Sequence, residues 1–161
     1  MMKIKKGIPL IDQHDKHGFW GGKFGGSYIP ETLRKPIDDL TIKFEKLRKD
    51  KKFLAERDYY YNNWVHKGPT PFIKLQNLTN HLGGAQIYAK VVSAARGGAH
   101  KIYGAITAAM LCKKMGKRHL VTDTGAGYNG KMFSIAAKYF GLKCKVFMGY
   151  KDFLRQKPNV D

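Results

Sequence analysis

The stretch HLVTDTGAGYNGKMFSIAAKYFGLKCKVFM, residues 119–148, is the part of the chain that decides the fold class. The run His119–Thr122 is typical of a strand, and the glycine-rich turn Gly125–Gly127 follows it. A helical pattern over Ile135–Phe140 ends at Gly141, and Lys143–Met148 has the composition of a second strand. Strands that alternate with helices in this way indicate an α/β fold built on a parallel sheet with right-handed crossovers.

The same alternation extends upstream. We predict a strand at Gln86–Lys90 and a helix at Ala105–Met115 that ends at Gly116. All three strands would then share one parallel sheet, and such sheets bind ligands at the carboxyl ends of their strands. The turns Gly97-Gly98 and Gly125–Gly127 both follow strands, so we expect them to meet at one edge and line a ligand cleft.

The region before these strands is predominantly helical. Apolar residues from Leu33 to Leu47 recur at helical spacing, and Pro36, tolerated only near a first turn, puts the expected start of the helix proper at Pro36. Further along, the sequence predicts a helix over Phe53–Trp64 with Tyr59, Tyr60 and Tyr61 in packing roles, a break at Gly68-Pro69-Thr70-Pro71, and a short helix over Leu75–Leu82 closed by Gly83-Gly84.

Composition limits the possible classes of protein. The chain has 161 residues, of which 43% are hydrophobic, so it can build a core and is not of the disordered class. Lys and Arg number 30 against 12 Asp and Glu, a formal net charge of +18 that would attract phosphate groups or nucleic acid. The charge is scattered from Lys3 to Lys157 without a nucleic-acid-binding motif, which ranks that function last among the alternatives.

Localisation follows from short signals. The leader Met1–Gly7 is basic, but the apolar patch Ile8–Ile11 is too short for a signal peptide, and no apolar run is long enough to span a membrane. Cys112 and Cys144 lie far apart and outside any CxxC, so we predict two buried thiols in a reducing compartment. We expect a cytoplasmic protein.

The segment Arg96-Gly97-Gly98-Ala99-His100-Lys101-Ile102 carries the candidate chemistry. Its glycines permit close approach of backbone or ligand, and the start of the following helix offers unpaired N–H groups to an anion. A desolvated lysine at such a place can lose its proton and attack a carbonyl to form a Schiff base.

Several motifs now identify a family resemblance. In order, the chain reads Gly22-Lys23-Phe24-Gly25-Gly26-Ser27-Tyr28-Ile29-Pro30-Glu31-Thr32-Leu33, Gly68-Pro69-Thr70-Pro71, Gly97-Gly98-Ala99-His100-Lys101, Met115-Gly116-Lys117, Asp123-Thr124-Gly125-Ala126-Gly127, Phe147-Met148-Gly149 and Arg155-Gln156-Lys157-Pro158-Asn159-Val160. Together they resemble the tryptophan synthase β subunit, a family of fold-type II pyridoxal-phosphate enzymes. The resemblance implies an incomplete open three-layer parallel sheet with a helical amino-terminal region. It also implies a polar lead-in at 1–21 and the amino-terminal part of such a fold at 22–161, with the carboxy-terminal half absent.

The resemblance also implies roles for particular residues. Lys101 matches the lysine that forms the Schiff base with pyridoxal 5'-phosphate and moves the substrate α-proton, and His100 matches the histidine beside the cofactor phosphate. Asp123 stands where the family has a glutamate that assists elimination. The substrate carboxylate loop matches Thr124, Gly125, Ala126, Gly127, Tyr128 and Asn129. The family's reaction replaces the hydroxyl of L-serine with indole, and its partners are an α-type subunit and a second β chain.

This chain departs from the family pattern around the candidate lysine. Asp123 is one methylene shorter than glutamate, and Lys90-Val91-Val92-Ser93-Ala94 replaces a charged Lys-Arg-Glu-Asp-Leu. Tyr103 replaces an asparagine, which predicts a bulky ring near the cofactor, and Tyr128-Asn129-Gly130 replaces Gln-His-Gly. We therefore expect the chain alone to be weakly active or inactive. The alternatives are a non-catalytic partner-binding fragment, a gene relic that folds poorly, and a basic nucleic-acid binder.

Overall fold

The computed structural model describes residues 5–15 and 17–160, so Met1–Ile4 and Lys16 of the expected lead-in, and Asp161 at the end of the expected fold region, lie outside the described part. The chain divides into two compact units at the boundary between Thr41 and Ile42. In the first unit a short hairpin pairs β1 (Phe19–Trp20) antiparallel with β2 (Phe24–Gly25). The lead-in is held locally by Gln13, whose buried side chain bonds to the backbone of Lys5 and Ile8.

The first long helix, α1 (Glu31–Leu47), starts five residues before the proline at which we expected it to begin. Pro36 lies inside it, in the second turn. The first N–H groups of any helix have no intrahelical acceptor. Pro36 lies just beyond that first turn, so its missing N–H costs the helix one backbone hydrogen bond. The helix therefore starts at Glu31, where the chain leaves Pro30.

The second unit holds the predicted alternation of helices and strands. The loop after α1 ends at Asp50, whose carboxylate accepts from the N–H groups of Lys52 and Phe53 and caps the next helix. The helices are α2 (Lys51–Tyr60, continued by a π-helical turn Tyr61–Val65), α3 (Gln76–Leu82), α4 (Lys101–Lys114), α5 (Tyr128–Phe140), α6 (Tyr150–Arg155) and α7 (Lys157–Val160). The strands are β3 (Phe72–Lys74), β4 (Tyr88–Lys90), β5 (His119–Thr124) and β6 (Lys143–Met148).

Two of the three expected strands form a parallel pair. β5 and β6 run parallel, from His119 opposite Lys143 to Thr124 opposite Met148, and α5 connects them. The third expected strand forms as β4, but its predicted place in the parallel sheet is wrong. It pairs antiparallel with β3, with Ile73 opposite Ala89. Helix α3 connects these two strands. The alternation of strands and helices along the sequence does not show which strand β4 pairs with.

The core of the second unit lies where α4 packs against α5. Ile102 and Ile106 of α4 and Met132 of α5 are fully buried, and alanines of both helices are buried in the same cluster. Cys112 of α4 is buried, as predicted, and burial raises the pKa of its thiol, whereas Cys144 on β6 is partly exposed; both are free. Among the described helices, none combines the length and apolar character that a membrane crossing needs.

The tyrosine run of α2 packs largely as predicted. Tyr60 contacts Tyr139 and Phe140 edge-on, at ring-centroid distances of 5.8 and 5.1 Å. Tyr61 donates its hydroxyl to the Tyr103 carbonyl oxygen, whereas Tyr59 is largely exposed. These aromatic contacts attach α2 to the α4–α5 pair.

Candidate functional site

Lys101 is the first residue of α4, four residues before the start that helical periodicity predicts. Gly97 and Gly98, both with positive φ, precede it in a short 3₁₀ turn, and Ile102 beside it is fully buried. Burial of Ile102 fixes the rotation of the helix. The Lys101 side chain is left exposed at the helix start.

Gly97 sets the distance between this turn and α5. A Cβ at Gly97 would lie 2.5 Å from Met132 Cε and 2.7 Å from its Sδ, closer than any real side-chain contact. Met132 is fully buried, and its Sδ and Cε atoms would have to shift to admit that Cβ. Glycine at this position therefore brings the start of α4 against α5, and Lys101 with it.

The loop after β5 is held by its own side chains. Asn129 Nδ2 donates to Thr122 Oγ1 at 2.8 Å and to the Asp123 carbonyl oxygen at 2.9 Å. The Gly127 N–H donates to Thr124 Oγ1 at 3.0 Å. These bonds leave the N–H groups of Gly125 and Ala126 without an acceptor in the described part of the chain.

The lysine and the loop meet around one cavity of about 270 Å³. A cationic amine, a carboxylate and unpaired backbone N–H groups in one cavity can hold an amino acid by its carboxylate while an amine acts on it. The expectation that the two glycine-rich turns line one cleft is met only in part, because Gly125 and Ala126 line this cavity whereas Gly97 and Gly98 do not. Its walls are Lys101, Asp123, Thr124, Gly125, Ala126, Tyr128 and Asn129.

Three of the sequence candidates lie outside the walls of this cavity. His100 is the exposed residue just before α4. Gly127 lines a neighbouring cavity of about 540 Å³, and its N–H already has an acceptor. Tyr103 was expected near the cofactor. Its ring instead packs edge-on against the ring of Tyr61, with 5.0 Å between the ring centroids, and so contacts the π-helical end of α2.

Sequence reasoning assigned no role to Asn159. Its Nδ2 donates to the Ala126 carbonyl oxygen at 2.9 Å, across 33 positions of sequence. The segment Arg155–Val160 was noted for its resemblance, but no spacing rule links an asparagine there to the loop.

Comparisons with known proteins show the family of the chain. The model of a family described as pyridoxal-phosphate dependent enzyme matches residues 64–157, more than half of the chain. The tryptophan synthase β chain of Fusobacterium nucleatum subsp. nucleatum is 40% identical over 146 residues, which cover 91% of this chain and 36% of that relative. The chain thus spans about a third of the length of this curated relative, and the resemblance stated from the motifs is confirmed. On these matches, the chain belongs to the family of pyridoxal-phosphate-dependent enzymes.

Proposed function

We propose that this chain carries the lysine and carboxylate-loop part of a tryptophan-synthase-β-type active site. The reaction of such a site replaces the hydroxyl of L-serine with indole, with pyridoxal 5'-phosphate as cofactor. One observation carries the proposal: Lys101 lines the same cavity as residues 123–126 and 128–129, although more than twenty positions of sequence separate them. The identity to a tryptophan synthase β chain supports the choice of substrates.

The residues present fit the amino-acid side of such a site. Lys101 supplies an exposed amine, and Gly125 and Ala126 supply two unpaired N–H donors on the same cavity. Pyridoxal phosphate, when bound, supplies an electron-withdrawing ring that stabilises negative charge at the α-carbon of an amino acid. His100, one residue from Lys101 at the start of α4, is the residue we assign to the cofactor phosphate, since a helix start favours an anion.

The protein's own groups divide the remaining work. The N–H groups of Gly125 and Ala126 hold the substrate carboxylate, which orients the α-carbon toward Lys101. We assign transfer of the α-proton to Lys101 Nζ, because its side chain lies on the same cavity as the N–H groups that hold the carboxylate. The Asp123 carboxylate, on the same wall, is the group that we assign to assist departure of the serine hydroxyl.

Cofactor affinity tests the proposal without requiring turnover. Equilibrium dialysis of pyridoxal phosphate against the full chain should give one site that Lys101→Ala weakens at least tenfold. Lys117→Ala, at an exposed lysine just beyond the end of α4, is the matched control and should bind like the parent. Equal affinity of the Lys101→Ala variant and the parent would refute the assignment.

Turnover by the chain alone is expected to be weak or absent. Asp123 reaches one methylene less far than glutamate, and misplacement on that scale can cost on the order of 100-fold in rate. An assay of tryptophan formation from L-serine, indole and pyridoxal phosphate measures this directly. Restoring the longer carboxylate with Asp123→Glu should raise any residual rate, and no rise would remove Asp123 from the proposed role.

A second candidate, partner binding without catalysis, is favoured by the uncovered face of the parallel pair. Val121 and Phe147 lie on the same face of β5 and β6 and are 63% and 53% exposed. Asp123 and Lys145 share this face, and Lys145 Nζ lies 5.0 Å from the Phe147 ring centroid, so the face is mixed apolar and charged. Self-association or binding of an α-type subunit would cover this face. Sedimentation should show association that Phe147→Lys abolishes, and a monomer that does not bind an α-type subunit would exclude it.

A further inference from the structure

We propose that Asn159 is a positioning residue that aims the Gly125 and Ala126 N–H groups at the substrate carboxylate. The inference rests on the proposed function, because it concerns the loop that would bind that carboxylate. Asn159 does not line the 270 Å³ cavity, so it would act only through the loop.

Two asparagine side chains clamp the loop at its two ends. Asn129 Nδ2 bonds to the Asp123 carbonyl oxygen at 2.9 Å, and Asn159 Nδ2 bonds to the Ala126 carbonyl oxygen, also at 2.9 Å. The peptide unit that contains the Ala126 carbonyl also contains the Gly127 N–H, which donates to Thr124 Oγ1. That unit is therefore held at both of its polar ends.

Between the clamps lie the two peptide units whose N–H groups belong to Gly125 and Ala126. Neither N–H has an acceptor within the described residues, and both residues are exposed on the cavity. Because the flanking units cannot rotate without breaking a hydrogen bond, the free N–H groups keep their direction before any anion arrives. Preorganised donors of this kind bind an anion without a reorganisation cost.

The approach of Asn159 depends on glycine at position 127. A Cβ there would lie 2.7 Å from Asn159 Cβ, and Gly127 has φ +89°, a conformation that side chains rarely adopt. Gly127 therefore lets α7 come close enough for the bond to form.

The side of the loop that faces Asn159 has little other support. Thr124, Gly127 and Asn159 share the walls of the 540 Å³ cavity there, so packed side chains do not fill that space. Asn159 also donates to Gln156 Oε1 at 3.2 Å, which orients its amide toward the loop. The bond to Ala126 is thus the polar contact that holds the loop from this side.

The test is an L-serine titration of the full ¹⁵N-labelled chain, followed at the amide signals of Gly125 and Ala126. Asn159→Ala should weaken serine binding about tenfold, the usual scale for one lost hydrogen bond to an organising group. Asn159→Asp should weaken it at least as much, since a carboxylate cannot donate to the Ala126 carbonyl. Asn63→Asp is the matched control, because the Asn63 amide donates to the Tyr59 carbonyl oxygen at 2.8 Å on another helix. Serine methyl ester, which lacks the carboxylate, should shift neither signal.

The outcomes separate this inference from the proposed function. If the parent binds serine at these signals and both Asn159 variants bind equally well, the positioning role is overturned and the proposed function stands. If serine shifts neither signal in the parent, the proposed function fails. Amide relaxation then decides the anchoring role: faster motion of Gly125 and Ala126 in Asn159→Ala, absent in Asn63→Asp, supports it, and unchanged motion overturns it. Matched melting temperatures show that each variant is folded.

Discussion

Replacing Gly97 with alanine tests how the start of α4 is seated on α5. A residue with a Cβ at φ +78° costs about 1–2 kcal/mol, and the contact with Met132 at 2.5 Å adds about 1–3 kcal/mol of overpacking. We therefore expect Gly97→Ala to lower the free energy of unfolding by about 2–5 kcal/mol, a large part of what a domain of this size has. Urea unfolding followed by circular dichroism measures the change.

Gly98→Ala separates the two contributions. Gly98 has φ +80°, but a Cβ there would meet no atom within 4 Å, so only the backbone cost of about 1–2 kcal/mol applies. In addition, Met132→Ala should partly relieve Gly97→Ala, giving a coupling of about 1 kcal/mol or more in a double-mutant cycle. Equal destabilisation by the two glycine substitutions, or strictly additive effects with Met132→Ala, would refute the close packing of the Gly97 turn against Met132.

Three further predictions concern other parts of the chain. Ile106→Ala, in the buried face of α4, should lower the free energy of unfolding in urea by about 2–5 kcal/mol. Ile42→Ala, at an exposed position, should lower it by about 0.5 kcal/mol at most, and equal losses would contradict the assigned core. Hydrogen bonds from the N–H groups of Phe53 and Lys52 hold the pKa of Asp50 below its usual value of 3.8. This helix cap therefore stabilises the chain above about pH 4, and the stabilisation is lost as pH falls through the lowered pKa. Asp50→Ala should lower the melting temperature at pH 7, and it should lower it progressively less in acid. Burial raises the pKa of Cys112, so a thiol reagent at neutral pH should label it far more slowly in the folded chain than in urea, and equal rates would place it at the surface.

Local patterns predicted most of the elements, and the errors lie where tertiary contacts decide. The ends of α3 and α5, each followed by a glycine, and the bounds of β6 depend on neighbouring residues along the chain and were predicted from them. The start of α4 was placed four residues too late, because Lys101 is polar and exposed and carries no apolar periodicity. The pattern over Ile135–Phe140 lies inside α5, which begins further upstream at Tyr128. The pairing of β4 depends on a partner strand, which a single strand's pattern does not reveal.

For the site, the sequence located the chemistry but not the supporting contacts. Lys101 and the glycine-rich loop could be named because glycine and lysine in that order suit an anion and a Schiff base. That Tyr103 turns toward Tyr61, and that Asn159 holds Ala126, depends on side-chain directions and on contacts between distant segments. Neither follows from spacing along the chain.

Selective labelling of one lysine tests the central claim most directly. Pyridoxal phosphate reacts with many exposed lysines, so reduction with borohydride at low cofactor concentration, followed by peptide mapping, compares Lys101 with all the others in one sample. We expect nearly all of the attached label at Lys101 and little elsewhere, and we expect L-serine to compete with the labelling of Lys101. Attachment spread over the surface lysines in proportion to their exposure would contradict it.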